Sequence, residues 1–425
     1  MKAKREEFWS MLECTEPDII IASETWLKPD IKEKEVLPDS YHFVARKDRP
    51  GSAHGGTAII ARSNIDAVEI DTNTTTEFVA ASFACKDLQK PLIIGSLYRP
   101  TNNNLEYTDN LCKAISNLYS NFKNHIIWIG GDANLPDIDW QTDSIQGHNY
   151  PVGINKSYIN LINDIGCQQI VDFPTRSSNT LDIFLTNRPS LINRCCPIPG
   201  ISDHDIVLID SNVMPHRRKP SQRLIYLWKQ ANIKEMKKEL KEYSSTFQET
   251  YSTSSPINDM WIDFKHKCIE TLTKHVPSKM TTTRFNQPWI DRNIRRMSRR
   301  KKRAYRKARN LNKKKDWDRY KNIQKQNKQV CRQAYNNYVR NMISDEKGTS
   351  SKKLYSFIKS KKCDGSGVAP LKKEGKTYAT ASEKAEILNQ QFSSVFTKEN
   401  ANTIPKLEKV THLMHQISSL LKMAF

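Results

Sequence analysis

The 425-residue chain lacks any apolar run near the ~20 residues a membrane-crossing helix needs. Its N-terminus, MKAKREEFWSMLE, has no apolar signal core. No C-x-x-C pair occurs among the nine cysteines, which are scattered, and the adjacent Cys195 and Cys196 are poorly placed to bridge each other. A disulfide framework and a zinc module are therefore excluded as organising devices. Together these absences lead us to expect a reduced intracellular protein without a membrane span.

Acidic residues are scarce in one half only. Residues 1–211 carry 19 Lys+Arg against 28 Asp+Glu, about −9, whereas residues 212–425 carry 48 against 18, about +30. A basic segment of this size attracts polyanions, most commonly nucleic acid. The run RRKKR at 299–303 has a second use, as a nuclear import signal, so a nuclear location is open.

Residues 1–211 read as short apolar strands bounded by Gly, Pro, Asn and Asp: 17–27, 41–48, 55–63, 77–85, 91–100 and HIIWIGGDAN, then QQIVDF, TLDIFLTN and DIVLIDSNV. Leu105, Leu111, Ile115, Leu118 and Phe122 fall at helical spacing, and 157–166 reads as a short helix. Many strands with few helices predict an α/β class, a layered α/β sandwich, followed by a basic, mainly helical region. Residues 212–288 are expected to be a linker with helical segments, one of them at 229–243. Residues 289–360 are expected to form a basic helical connector. The stretch 294–344 has no Pro or Gly, and Tyr305, Ala308, Trp317, Tyr320, Ile323, Val330, Ala334, Tyr338 and Met342 suit a helix pair. Residues 361–425 open with another linker, KKCDGSGVAP.

The strands of the first half end in residues that a core would waste. ASETW offers Glu24, LYRP offers Tyr98 and Arg99, and GGDAN offers Asp132 and Asn134. ISDHD, which precedes a strand, offers Asp203 and His204, and TLDIF adds Asp182 inside another strand. In a layered sheet protein, strand ends on one edge converge on a site. The result would be a pocket with several carboxylates, an imidazole, an amide and a phenol. Hard oxygen ligands suit Mg²⁺, with Mn²⁺ as an alternative. Such a set fits metal-assisted hydrolysis of a phosphodiester, with a carboxylate to deprotonate water and an amide to support the phosphate. Asp182 is a candidate partner to fix the tautomer of His204.

In this order and at these strand ends, PDIIIASETWL, GGTAII, SLYRP, WIGGDANLPDIDW, TLDIFLTN and ISDHDIVL resemble the endonuclease/exonuclease/phosphatase superfamily. More narrowly, they resemble the endonuclease domain of LINE-type (non-LTR) retrotransposon polyproteins, over roughly residues 5–211. The resemblance implies that Glu24 and Asp203 are metal ligands. It also implies that Tyr98 contacts the scissile phosphate, Asp132 activates the attacking water, Asn134 orients it, and Asp182 pairs with the catalytic His204. Thr175 and Ser202 match positions where such endonucleases place hydroxyls near phosphate, and Arg99 joins them as a nucleic-acid contact. QPWIDRNIRRMSRRKKRAYRKA and KAEILNQQFSSVFTKEN resemble the connector between endonuclease and reverse transcriptase, so 361–425 would hold the start of a truncated reverse-transcriptase-like region. The implied function is Mg²⁺-dependent nicking of DNA, with DNA and RNA as partners.

Two departures qualify the resemblance. The family's first strand, with a metal-site Asn, has no counterpart, since Met1 leads straight into a helix-like segment. By analogy with loss of one transition-state donor, this predicts activity lowered by about 10²–10³, or lost. No Asp-Asp dipeptide occurs, so the paired-acid turn of a polymerase is missing and no polymerase activity is expected. Two other readings stay open: a catalytically decayed nucleic-acid-binding remnant, and a lipid or inositol phosphodiesterase on the same fold.

Overall fold

The computed structural model describes residues 1–218, 224–280, 287–343, 354–355, 357–359, 371–373, 376–378 and 381–396, apart from 53, 87 and 253. The chain divides into two compact units, one of residues 1–220 with 284–364, the other of 221–283 with 365–425.

The first unit opens with helix α1 (Arg5–Thr15) and strand β1 (Ile19–Ser23), followed by α2 (Glu33–Val36), β2 (Tyr41–Lys47) and β3 (Thr57–Arg62). Next come β4 (Ala67–Ile70), β5 (Phe78–Phe83), β6 (Leu92–Tyr98), α3 (Leu105–Phe122) and β7 (Ile127–Asp132). The short β8 (Ile138–Asp139) and β9 (Ser144–Ile145), α4 (Val152–Asp164), β10 (Gln168–Gln169), β11 (Asp182–Thr186), β12 (Ile192–Ile198) and β13 (Ile206–Ser211) complete the sequence-predicted domain.

Six strands form the central sheet in the order β10-β11-β7-β6-β5-β4, and three form a second sheet, β1-β3-β2. Only β6 and β7 pair in parallel within the central sheet. They are joined by α3, the crossover that a parallel pair requires. Asn104 caps α3 by accepting a bond from the Tyr107 N–H at 2.9 Å.

The two-residue period of a strand sorts its side chains into different cores. On β6, Ile93 and Leu97 face the layer of α3 and α4, with Ile127 and Ile129 of β7. Leu92 and Ile94 face the other way, into a core shared with Ile59 and Ala61 of β3. On β3, Ala58 and Ile60 turn outward to Phe8, Trp9 and Leu12 of α1. The layers are thus helix, sheet, sheet, helix, the layered α/β sandwich expected from the sequence. β12 and β13 pair with each other, and Val207 and Ile209 add to the core between the sheets.

Helices α5 (Ile233–Thr250) and α6 (Ile257–His275) belong to the second unit, with the strand pair β14 (Leu224–Tyr226) and β15 (Ser278–Met280). The helix expected at 229–243 spans Ile233–Thr250, so it starts later and runs further. A Thr hydroxyl inside a helix satisfies itself on the preceding turn, as Thr250 Oγ1 does by donating to the Thr246 carbonyl at 2.8 Å. The residues after 361 that are described form a two-stranded hairpin, Leu371–Lys373 with Lys376–Tyr378, and a helix, Ala381–Val395.

The basic segment consists of α7 (Arg292–Leu311) and α8 (Lys314–Ile343). It is packed into the first unit. Trp289, Ile290, Ile294 and Cys331 are buried in the same cluster as Phe8, Trp9, Leu12 and Leu27. The Trp289 and Trp9 rings lie 6.3 Å apart, and Tyr335 stacks edge-on against Trp289 at 5.6 Å. Glu13 pairs with Arg295 at 2.5 Å, and Ser10 with Ser298 at 3.1 Å. The helix pair thus covers the outer face of the β1-β3-β2 layer.

Candidate active site

Strand register brings the site together. In the parallel pair of β6 and β7, Tyr98 stands opposite Asp132, and in the antiparallel pair of β7 and β11, Asp182 stands opposite Asp132. Tyr98, Asp132 and Asp182 thus form one row across three neighbouring strands about 4.8 Å apart. Gly131 makes the approach possible. Its φ is +143°, and an added Cβ would lie 1.9 Å from the Leu97 carbonyl oxygen. Only glycine fits there. Ser23, at the end of β1, binds across the same row. Its hydroxyl accepts from the Asp132 N–H at 3.0 Å and donates to the Leu97 carbonyl at 3.0 Å.

His204 sits on the loop between β12 and β13 and meets Asp182 Oδ2 through Nδ1 at 2.8 Å. That contact leaves Nε2 for another partner. Burial opposes protonation of His204, but the Asp182 carboxylate, with Asp132 and Asp203, outweighs it and raises its pKa. Asp132 is 3% exposed. Burial, then repulsion from Asp182, lifts its pKa well above the usual carboxylate range, against the pull of His204 and the Asn134 N–H. Oxygen and nitrogen atoms of Asp132, Asp182 and His204 all lie within 4.8 Å of one another. Two carboxylates that penalise each other in this way suit a bound divalent cation, which would offset both charges.

Glu24 is exposed, in left-handed backbone with φ 50°, and its Oε1 accepts the Tyr98 hydroxyl at 2.5 Å. Burial and this carboxylate hold Tyr98 as the neutral phenol. Asn134, also left-handed with φ 51°, donates its backbone N–H to Asp132 Oδ1 at 3.0 Å and its side-chain amide to the Arg99 carbonyl at 2.9 Å. Arg49, not singled out in the sequence, lies over the Tyr98 ring at 5.5 Å and pairs with Glu77 at 2.6 Å.

Other sequence candidates lie elsewhere. Asp203 points to solvent and pairs with Arg176 at 2.7 Å, outside the Asp132–Asp182–His204 cluster. Ser202 is exposed, and among the described residues it makes only a long contact, 3.4 Å, with the His204 N–H. Thr175 is buried, and its Oγ1 accepts the N–H groups of Leu181 and Asp182 at 3.1 Å each, which seats the start of β11. Arg99, expected at a nucleic-acid contact, is fully buried. It donates to the carbonyls of Asn134 at 3.2 Å and Asn102 at 2.7 Å, and to Thr108 Oγ1 at 3.3 Å. Its guanidinium builds the Asn134 turn and presents nothing to a bound polymer. Arg99→Met would strip these acceptors of their donor, at about 1–3 kcal/mol for each group left buried and unpaired. The expected result is a clear fall in the urea midpoint of the full chain; an unchanged midpoint would contradict this scaffold role.

The loop carrying His204 is tied to α7. Asp205 Oδ2 accepts from the Tyr305 hydroxyl and from Arg309 Nη1 at 2.8 Å. The Lys301 ammonium, 7% exposed, donates to the Gly200 carbonyl at 3.0 Å. Burial lowers the Lys301 pKa and raises that of Asp205, the latter against the pull of Tyr305 and Arg309. Sequence reading missed Asp205, whose place beside His204 was the available signal.

A family model described as endonuclease-reverse transcriptase matches residues 92–208, the stretch that holds Tyr98, Asp132, Asn134, Asp182 and His204. The match covers about a quarter of the chain, and it is this stretch that is similar to the family. Among solved structures, the endonuclease domain of TRAS1, a telomere-specific non-LTR retrotransposon, matches this chain with 13% identity and TM-score 0.39, over 50% of this chain and 94% of that one. The human Nocturnin catalytic domain with bound sulfate anion gives 13% identity and TM-score 0.38, over 50% and 87%. The endonuclease/exonuclease/phosphatase from Bacteroides vulgatus gives 12% and 0.37, over 49% and 90%. No curated protein matches the chain. Among the described residues, no helix is long and apolar enough to cross a membrane.

Proposed function

We propose that the first unit hydrolyses phosphodiester bonds of DNA with the help of a divalent cation, Mg²⁺ or Mn²⁺. The observation that carries this reading is the row Tyr98–Asp132–Asp182 with His204 bound to its end. A cation held by Asp132, with Glu24 nearby on the Tyr98 hydroxyl, would supply Lewis acidity at the phosphate. The Asp132 carboxylate, at the centre of the row, takes the proton of the attacking water. The Asn134 N–H, bonded to Oδ1, fixes which way this carboxylate faces. His204, held by Asp182, presents Nε2 to a phosphate oxygen as its charge grows. Tyr98 remains protonated and donates or yields its hydrogen bond at the same phosphate.

The substrate class follows from charge. Arg296, Arg300, Arg303 and Lys307 fall within about 60° of one another around α7 and are exposed. With Arg319 of α8 they line a cleft of about 680 Å³ between the two helices. Among the described residues, the four arginines have no carboxylate partner, and Lys307 faces Asp316 at 3.5 Å. This supports backbone binding to nucleic acid rather than recognition of a small lipid or inositol head group.

Two measurements test the reading. Supercoiled plasmid is expected to be nicked with Mg²⁺, slowly as the departure from the family's first strand implies, and left intact with excess EDTA, while an inositol phosphate is not hydrolysed. Preferred hydrolysis of the inositol phosphate would favour the small-molecule reading. Separately, Arg296→Ala/Arg300→Ala/Arg303→Ala is expected to reduce the slope of log binding against log salt by up to about 0.9 per lost phosphate contact. An unchanged slope would place the DNA backbone elsewhere.

A further inference from the structure

We infer that α7 is part of the catalytic apparatus, with Asp205, Tyr305 and Arg309 as positioning residues for His204. The inference rests on the nuclease reading of His204 but reaches beyond it, because α7 lies outside the segment that matches the family model.

His204 has little to hold it apart from Asp182. The loop from 199 to 205 contains no regular structure. The His204 N–H reaches Ser202 only at 3.4 Å, and the Asp203 carboxylate is spent on an exposed pair with Arg176. The loop nevertheless has tight limits. A Cβ on Gly200 would lie 1.8 Å from the His204 carbonyl oxygen, so the two ends of the loop are folded onto each other. Both ends are then anchored to a single helix face. Lys301 donates to the Gly200 carbonyl at 3.0 Å. Four residues on, Tyr305 donates to Asp205, and four further on, Arg309 donates to Asp205 at 2.8 Å and to the Pro174 carbonyl at 3.0 Å. The i, i+4, i+8 spacing stacks these three side chains along one stripe.

The same clamp reaches the partner of His204. The Asp205 N–H donates to the Thr175 carbonyl at 2.7 Å, and the Thr175 hydroxyl accepts the Asp182 N–H at 3.1 Å. Asp205 therefore sits between His204 and the turn that seats Asp182. A shift of this carboxylate moves the imidazole relative to Asp182 and Asp132. Misplacement by about 1 Å is enough to cost about 10²-fold in rate.

The test uses the full chain and Tyr305→Phe, Arg309→Met, the double variant and Arg309→Lys. Amide hydrogen exchange is followed residue by residue, and single-turnover DNA nicking and metal-free DNA affinity are measured on the same samples. In the double variant, exchange of the Asp205 N–H and its loop neighbours is expected to accelerate about 10-fold or more, while β6, β7 and α3 keep their protection. The nicking rate is expected to fall about 10²-fold with DNA affinity within about 2-fold, and Arg309→Lys to retain part of the rate. Unchanged protection of the loop overturns the inference. So does a uniform loss of protection across the unit, which would mark a general loss of stability. If the unaltered chain does not nick DNA, the nuclease reading falls, and the exchange result decides the positioning role by itself.

Discussion

His204→Ala in the full chain is expected to slow single-turnover DNA cleavage by about 10²–10⁴-fold, the range for removal of a positioned acid–base group. The size of the effect follows from the geometry. Nδ1 is committed to Asp182 at 2.8 Å, so the ring has one orientation and one nitrogen free for the phosphate. Alanine removes both, and no other imidazole belongs to the Asp132–Asp182–His204 cluster. Asp182→Asn keeps the shape but replaces a charged partner with a neutral one, so a smaller loss is expected, with the imidazolium less favoured. Asp132→Ala is expected to cost at least as much as His204→Ala, and the double variant little more than the worse single one, because groups acting on one transition state are not additive. DNA affinity without metal is expected to stay close to that of the unaltered chain. A His204→Ala chain that cleaves at full rate would remove the imidazole from the mechanism.

Trp289→Ala is expected to destabilise the first unit by about 3–5 kcal/mol, as large-to-small changes of a buried aromatic do. Trp289 is 5% exposed, between the rings of Trp9 and Tyr335. Its removal opens a cavity between α1 and α8, beside Ile290, Ile294 and Cys331. The core that suffers belongs to the nuclease-like domain as much as to the basic helices. The unfolding transition seen from a strand of the first domain and that seen from α8 are therefore expected to shift together. Guanidinium unfolding followed by residue-level exchange separates the outcomes. A loss confined to α7 and α8, with β6 and β7 unaffected, would mean that the helices form an independent domain. For the same reason, a chain ended near residue 218 exposes the Phe8, Trp9 and Leu12 face and is expected to aggregate.

Much of the site was legible because strand ends betray themselves. An apolar run that finishes on Glu, Asp or Tyr is hard to explain by packing, and this picks out Glu24, Tyr98 and Asp132, which the structure brings to neighbouring positions. The register was less visible. That Asp182 starts β11 opposite Asp132 depends on long-range pairing, which leaves no mark in a local window. Arg99 illustrates a rule that was available. It follows Tyr98 directly, and successive strand residues point to opposite faces, so the two were poorly suited to share one site. The resemblance puts the Thr175 and Ser202 hydroxyls near phosphate; in the structure the Thr175 oxygen accepts two backbone N–H groups.

Helix boundaries followed hydrophobic spacing where it was regular. The helix read at 105–122 spans Leu105–Phe122, whereas that read at 157–166 begins earlier, at Val152. β4 and β12 escaped notice, because Ala-Val-Glu-Ile is short and INRCCPI is broken by Arg and Pro. In the basic segment, Tyr305, Ala308, Tyr320, Ile323 and Met342 are buried as their spacing predicted. Composition could not tell what they pack against. The contacts between α1 and α7 join residues nearly 300 apart in sequence, and pairing at that range is fixed by shape and volume.

The central claim is that the Tyr98–Asp132–Asp182 row and His204 form a working phosphodiesterase site. Its most direct test is nicking of supercoiled plasmid by the full chain with Mg²⁺, beside the Asp132→Ala/His204→Ala chain purified in the same way. Conversion to open circles by the first and none by the second is the expected result. No nicking by either, or equal nicking by both, would contradict the claim.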